Sequence, residues 1–279
     1  MHIRRSAAAA TLAATAALLA GCTTVMGGAA TRDPGFTPGQ VITVLLQTGN
    51  YPKGPLPPLA PNALRAIQFE AQRMAGYVIY PWEVDPGFTA LDEMGTTPIT
   101  TLAGLSAQIP GATVRDIGAA NGFINGFTTS RGTPDSAPGR HMALNLMVLR
   151  FPDPDKATAA AAAFAAQNQG TDGSTNIRPI PIPDHPEAPA VAATLFNGRP
   201  SVSSFSAHGP YVFYVFSQSD DTAEAAAAVI GKALDLQGRR IDQFQPTDPA
   251  QFPTMNPDPT GQFARALPRN KGEGKVLDG

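Results

Sequence analysis

Residues 140–168 read RHMALNLMVLRFPDPDKATAAAAAFAAQN, and this stretch decides the fold. Arg140–Phe151 is centred on the apolar MALNLMVL and holds no Gly or Pro, which reads as a buried strand. Pro152 ends it. Asp153 is placed to cap a helix, and Pro154 falls at the first helical position, where its missing N–H costs nothing. The alanine-rich residues up to Asn168 then continue that helix. A further strand, NGFINGFTTS at Asn121–Ser130, stands before the run. The same order recurs downstream. RPSVSSFSAHG (Arg199–Gly209) reads as a strand, PYVFYVFSQ (Pro210–Gln218) as a buried strand and DDTAEAAAAVIGKALDLQ (Asp220–Gln237) as a helix. In that helix Asp221 and Glu224 have the spacing of a capping box. Two strand–strand–helix units predict an α+β body: one antiparallel sheet, with both alanine-rich helices packed on one face.

Working outward, NALRAIQFEAQRMAGYV carries Leu64, Ile67, Ala71, Met74 and Val78 at three- and four-residue steps, an amphipathic helix with Asn62 as its N-cap. QVITVLL (Gln40–Leu46) is apolar enough for a strand, and the proline-rich segment GNYPKGPLPPLAP after it is extended. YPWEVDPGF holds the single tryptophan. Tyr77, Tyr80, Trp82 and Phe88 are close in sequence there, so they are expected either to plug the core or to form the lip of a ligand site. Gly118, Gly122 and Gly126 are expected to mark a turn and a strand with a close backbone approach. After Phe244 the chain is proline-rich and aperiodic, which predicts a surface wrap and a mobile tail over 245–279.

The N-terminus begins MHIRRSAAAATLAATAALLAGC. Arg4 and Arg5 supply the positive start of a secretory signal, and small residues precede Cys22. The uncharged run Ser6–Ala20 falls short of the ~20 residues a spanning helix needs. Leu19-Ala20-Gly21-Cys22 resembles the bacterial lipobox, in which cleavage between Gly21 and Cys22 follows acylation of the thiol. Two or three acyl chains (palmitate among them), at ~0.8 kcal/mol per buried methylene, hold a protein stably to a bilayer where one does so only marginally. Residues 1–21 are therefore expected to be a lipoprotein signal peptide, 22–39 a flexible tether and 40–244 the α+β body. The Arg4–Arg5 pair is also similar to twin-arginine export signals.

Composition narrows the chemistry. The formal charge is −2, without the concentrated basic face that nucleic-acid binding needs. Cys22 is the single cysteine, so disulfides and cysteine metal sites are not available to the body. His141, His185 and His208 lack HExxH or His-x-His spacing, and no nucleophile elbow or phosphate-binding loop occurs. The pairs Asp153/Asp155 and Asp220/Asp221 precede helices, where carboxylates cap amides. No catalytic residue, metal or cofactor is assigned. His141 and His208 open equivalent strands of the two units, which would bring them near one another.

GNYPKGPLPPL, EAQRMAGYVIYPWEVDP, NGFINGFTTSR, VLRFPDPDKA, SAHGPYVFYVFSQS and IDQFQPTDPA together resemble an uncharacterised lipoprotein family of mycolic-acid-bearing actinobacteria, a domain of unknown function. The resemblance spans roughly residues 49–268 and implies a cell-envelope setting but no activity or catalytic residue. It also implies, for many members, a further C-terminal region, whereas this chain stops at Gly279. The expectation is an extracytoplasmic protein, anchored to the cell membrane through Cys22, that binds an envelope protein or a small or lipidic ligand. An envelope hydrolase with an unrecognised site and a purely structural surface protein are the alternatives.

Overall fold

A computed structural model describes residues 57–265, apart from 58, 93, 138–140 and 172. Gly21, Cys22, the expected tether, the expected strand at 40–46 and the tail beyond 265 lie outside the described residues. In chain order the elements are α1 (Ala63–Ala75), α2 (Pro81–Val84), β1 (Ala90–Leu91), β2 (Thr97–Ile99), α3 (Leu102–Gln108), α4 (Val114–Ala120), β3 (Asn125–Gly132), β4 (Met142–Arg150), α5 (Pro154–Gln167), β5 (Thr175–Ile180), β6 (Ala190–Thr194), β7 (Pro200–His208), β8 (Tyr211–Ser219), α6 (Ala223–Ile241), a 3₁₀ turn (Pro249–Thr254) and α7 (Gln262–Arg265).

The α+β class and the antiparallel sheet are as the sequence predicts. One eight-stranded sheet runs β1-β3-β4-β8-β7-β6-β5, with β2 also paired to the outer edge of β3. The two expected buried strands are neighbours at its centre. They pair antiparallel from Met142↔Ser219 to Arg150↔Tyr211. A two-residue turn links β7 to β8, and Gly209 at φ +52° supplies the positive φ that a primed hairpin turn demands. Gly126 fills a different need: a Cβ there would lie 2.7 Å from the Val148 carbonyl oxygen.

The expectation that both alanine-rich helices share a face is corrected by the core. Leu144, Leu146 and Val148 of β4, with Phe213 and Val215 of β8, pack against Ala226, Ala227, Ile230 and Ala233 of α6 and against Met74 of α1. The alternate residues Met147, Leu149, Val212 and Tyr214 point the other way. They meet Ala157, Ala160, Ala161 and Phe164 of α5, with Leu105 of α3 and Val114 of α4. Successive strand side chains alternate between faces, so α5 and α6 lie on opposite sides. The sheet is buried between a front layer (α1, α6) and a back layer (α3, α4, α5).

Local signals hold in most places. Asn62 Oδ1 accepts from the Leu64 and Arg65 amides, and Asp153 Oδ1 accepts from the Lys156 amide. The cap of α6 is Thr222, whose hydroxyl accepts from the Ala225 amide, so the Asp221/Glu224 box does not form. The buried side of α1 also differs from the expected stripe. Leu64 is 71% exposed while Glu70 is fully buried. Glu70 is paired: it accepts from Arg73 at 2.5 Å, Arg150 at 3.3 Å and the Thr247 amide at 2.6 Å. Arg150 also donates to the Thr247 carbonyl at 2.8 Å, which ties the segment after α6 to the central strand.

Candidate functional site

The back face of the sheet changes character along its strands. Toward one end it shows Leu149, Met147, Tyr214 and Phe205, beneath α5, where the Phe164 ring lies 5.4 Å from that of Phe205. Toward the other end the same face shows Ser130, Asn145, Phe216 and Ser203 in one row across four strands, then Gly132, Ala143, Gln218 and Ser201 in the next. Apart from Phe216 these residues are small or polar, and they leave room that bulky apolar ones would fill. A pocket of about 180 Å³ opens over this end, lined among others by Asp92, Thr133, Asp135, His141, Arg199 and Gln218.

Each wall is held by backbone geometry. The β3–β4 loop closes where the Met142 amide donates to the Thr133 hydroxyl at 3.0 Å and the Thr133 amide donates to the Met142 carbonyl. The His141 amide donates to Asp220 Oδ2 at 3.0 Å, and the Asp220 amide returns a bond to the His141 carbonyl. His141 is thereby pinned between the start of β4 and the end of β8. Its Nδ1 is buried and has no hydrogen-bond partner among the described residues, and Asn145 Oδ1, in the row behind, is in the same condition. Buried polar atoms are normally paired, and these two, closed to solvent, are exceptions to that rule. Asp92 Oδ2 accepts from the Ser130 hydroxyl at 2.5 Å. Arg199 leaves the β6–β7 turn, where its amide donates to Asn197 Oδ1 at 3.0 Å. Its half-buried guanidinium has no ion pair among the described residues.

The other sequence candidates are dispersed. Tyr80 and Trp82 stack at 4.4 Å between ring centroids, and the Arg131 guanidinium lies 5.4 Å from the Trp82 ring. Arg131 was not among the expected residues, and its Nε is buried without a partner among the described residues. Tyr77 packs on Phe244 at 5.1 Å, and Phe88 is fully buried in the front core. The four aromatics therefore form no common lip: two make an exposed shelf and two belong to the core side. Glu83 braces that shelf. Burial pushes its carboxyl up, but hydrogen bonds from Arg240 (2.6 Å) and the Tyr80 amide (2.9 Å) outweigh this and hold it below the usual range.

His141 and His208 are not near one another. β4 and β8 run antiparallel and β7 pairs with β8, so His208, opposite Tyr211, lies at the far end of the sheet from Ser219 and His141. His208 Nε2 is 2.7 Å from Asp242 Oδ1 and its ring stacks on Phe213. His185 sits between Glu187 (2.9 Å) and Asp235 (3.1 Å). Among the described residues, no histidine ring is hydrogen-bonded to both a hydroxyl and a carboxylate. Nor is any group of three or more His, Cys, Asp or Glu arranged to hold a metal ion. No described helix is long and apolar enough to cross a membrane.

A solved structure similar to this chain is the crystal structure of the extracellular domain of PknH from Mycobacterium tuberculosis. It is 15% identical over 66% of this chain and 98% of that one, with a TM-score of 0.39. No curated protein matches the chain. The family described as "Domain of unknown function (DUF7373) N-terminal" matches residues 57–257, from before α1 to beyond the 3₁₀ turn. With the whole sheet and all the main helices inside that match, the chain belongs to the DUF7373 family.

Proposed function

We propose that this protein is a lipid-anchored protein of the extracytoplasmic face of the cell membrane, of the actinobacterial lipoprotein kind its sequence resembles, and that its α+β body captures a small polar ligand. The observation that carries the binding half is the polar pocket, lined by His141, Arg199, Thr133 and Gln218. His141 is fixed through its own backbone at both strands, so that wall is in place before any ligand arrives. The anchoring half rests on Leu19-Ala20-Gly21-Cys22. The test is isolation of the full chain in mild detergent from labelled cells. Radiolabelled palmitate is expected on the wild type and absent from Cys22→Ala. Small molecules released on denaturation are expected from the wild type and depleted in His141→Gln. An unlabelled wild type refutes the anchor, and identical small-molecule profiles refute the pocket.

The Tyr80–Trp82–Arg131 shelf supports a second reading, docking of an envelope protein. Trp82 is 40% exposed, and Trp, Tyr and Arg dominate protein contact sites. Loss of an envelope crosslink in Trp82→Ala, with the His141→Gln variant unaffected, distinguishes it from ligand capture.

A further inference from the structure

We infer that His185 is the pin of a pH-sensitive latch: its charged ring holds the strap between β5 and β6 (residues 181–189) closed on α6, and its neutral ring lets that strap loosen. The strap runs along the front side of the sheet. Ile182 and Ala188 anchor it in the front core, in the cluster that includes Ile230 of α6. Its backbone lies directly on that helix, since a Cβ at Gly231 would be 3.0 Å from the Pro183 carbonyl oxygen. Between the two anchors stands His185. Its Nδ1 is 2.9 Å from Glu187 Oε1 within the strap, and its Nε2 is 3.1 Å from Asp235 Oδ1 on α6. Ionised carboxylates only accept, so both ring nitrogens must carry hydrogen here, and only the imidazolium does so. A neutral ring keeps one N–H and turns a lone pair toward the other carboxylate. Keeping Glu187 frees Asp235, and with it the tie to α6. Keeping Asp235 instead repels Glu187 two residues on, and the bond that remains no longer joins opposite charges.

No other described charge is placed to take over. Asp184, next to His185 in the strap, makes no hydrogen bond to the ring. Lys232 and Arg239, one turn before and after Asp235 on α6, form no ion pair among the described residues. Arg178 of β5 is paired with Glu224 at the start of α6. In the closed strap, burial lowers the pKa of His185, but Glu187 and Asp235 outweigh this and raise it. The hydrogen bond from His185 in turn holds the Glu187 carboxyl below its usual range. An open strap returns the ring to its ordinary value of ~6.5. The latch is therefore fully closed below about pH 6.5, down to the carboxylate range near ~4, and is lost as pH rises through the closed-state value. Both carboxylates are more than half exposed, so solvent screens the pairs and the effect is a few-fold one.

The test is hydrogen exchange on the full chain in detergent micelles, read by mass spectrometry on peptides covering 181–189 and corrected at each pH for the intrinsic rate. From about pH 5 to about pH 8, protection of the strap is expected to fall about threefold or more, while peptides from β4 and β8 hold theirs. His185→Gln and Asp235→Asn are each expected to give a flat profile, at the level the wild type reaches at the alkaline end. Isotopically labelled histidine supplies a second readout, with the His185 ring signals assigned by their loss in His185→Gln. Both ring nitrogens are expected to carry protons at the acid end, and the titration midpoint to move down in Asp235→Asn. Strap protection that ignores pH overturns the latch, and so does an unaltered fall in His185→Gln. Should that variant not fold, Asp235→Asn decides: the wild-type fall, or an unmoved His185 midpoint, overturns it.

Discussion

Replacing Glu70 with alanine tests the buried charge cluster that joins α1, β4 and the segment after α6. Glu70 is fully buried and accepts from Arg73, Arg150, the Thr247 amide and, at 3.0 Å, the Thr247 hydroxyl. Truncation leaves Arg150, whose side chain is 7% exposed, with the Thr247 carbonyl and only the Asp248 carboxylate, which is not in ion-pair contact, as counter-charge. Removing one partner of a buried pair costs about 3–5 kcal/mol. Arg73 adds little, because its side chain is 38% exposed and regains water on losing the contact. For a folded body of about 200 residues, 1 kcal/mol moves the Tm by about 2–4 °C, so the expected fall is roughly 6–20 °C. Calorimetry with parallel urea titrations measures it. The double variant Glu70→Ala/Arg150→Met, which removes the stranded charge as well, is expected to recover part of the loss. A fall below about 2 °C in the single variant, or a double variant that loses the full sum of the two singles, refutes the coupling argued here.

Four further outcomes follow from other contacts. Thr222→Ala removes the observed cap of α6 and is expected to cost ~1 kcal/mol; an unchanged urea midpoint would contradict the cap assignment. Gly126→Ala sets a Cβ 2.7 Å from the Val148 carbonyl oxygen and 2.8 Å from Leu149 Cδ2, and is expected to cost about 1–3 kcal/mol of overpacking, read as a lower urea midpoint. For His185, burial lowers the pKa, but hydrogen bonds to Glu187 and Asp235 outweigh this and raise it above the ordinary value. A raised folded pKa means stability present at pH values below ~6.5 and lost as pH rises through the folded value, so thermal midpoints are expected to decline across that window and His185→Gln to remove that component. Cys22→Ala is expected to leave an uncleaved or soluble product, and a variant that still partitions into detergent with the wild-type mass shift would sink the lipobox reading.

The central strands and both alanine-rich helices were legible because each carries a strong local signal: an apolar run, a proline at the first helical turn, or an aspartate cap. Which face each helix covers was legible too, but it was misread. β4 is buried along all but its first residue, and a strand with apolar side chains in both directions needs cover on both faces. MALNLMVLR and YVFYVFSQS are therefore incompatible with two helices on a single side. The shorter strands escaped for a different reason. β1 and β2 have two and three residues, too few for any period to register. β5 and β2 contain Pro179 and Pro98, which proline's missing donor confines to edge positions.

The candidate site was illegible for reasons of topology. Equivalent positions at the starts of two neighbouring strands lie side by side only when the strands run parallel. Antiparallel pairing of β4 with β8 sends them to opposite ends instead, and it parts His141 from His208. The pocket draws on the segment after β1, the β3–β4 loop, the β6–β7 turn and the end of β8, so no local spacing could announce it. One residue did carry a signal. Asn145 interrupts an otherwise apolar strand, and its amide is held by the Thr128 hydroxyl at 2.9 Å and by the Thr129 carbonyl. A buried strand accepts such a residue only where its polar atoms find partners. In register beside Asn145 stand Ser130 on one neighbouring strand and Phe216, followed by Gln218, on the other. The loss of apolar character thus crosses several strands at one level, at the end of the sheet away from the Phe164–Phe205 contact. A fold that needed only a hydrophobic back face could have carried Leu or Val at these positions. The polar rows therefore floor the pocket above them, with His141 and Arg199 on its walls.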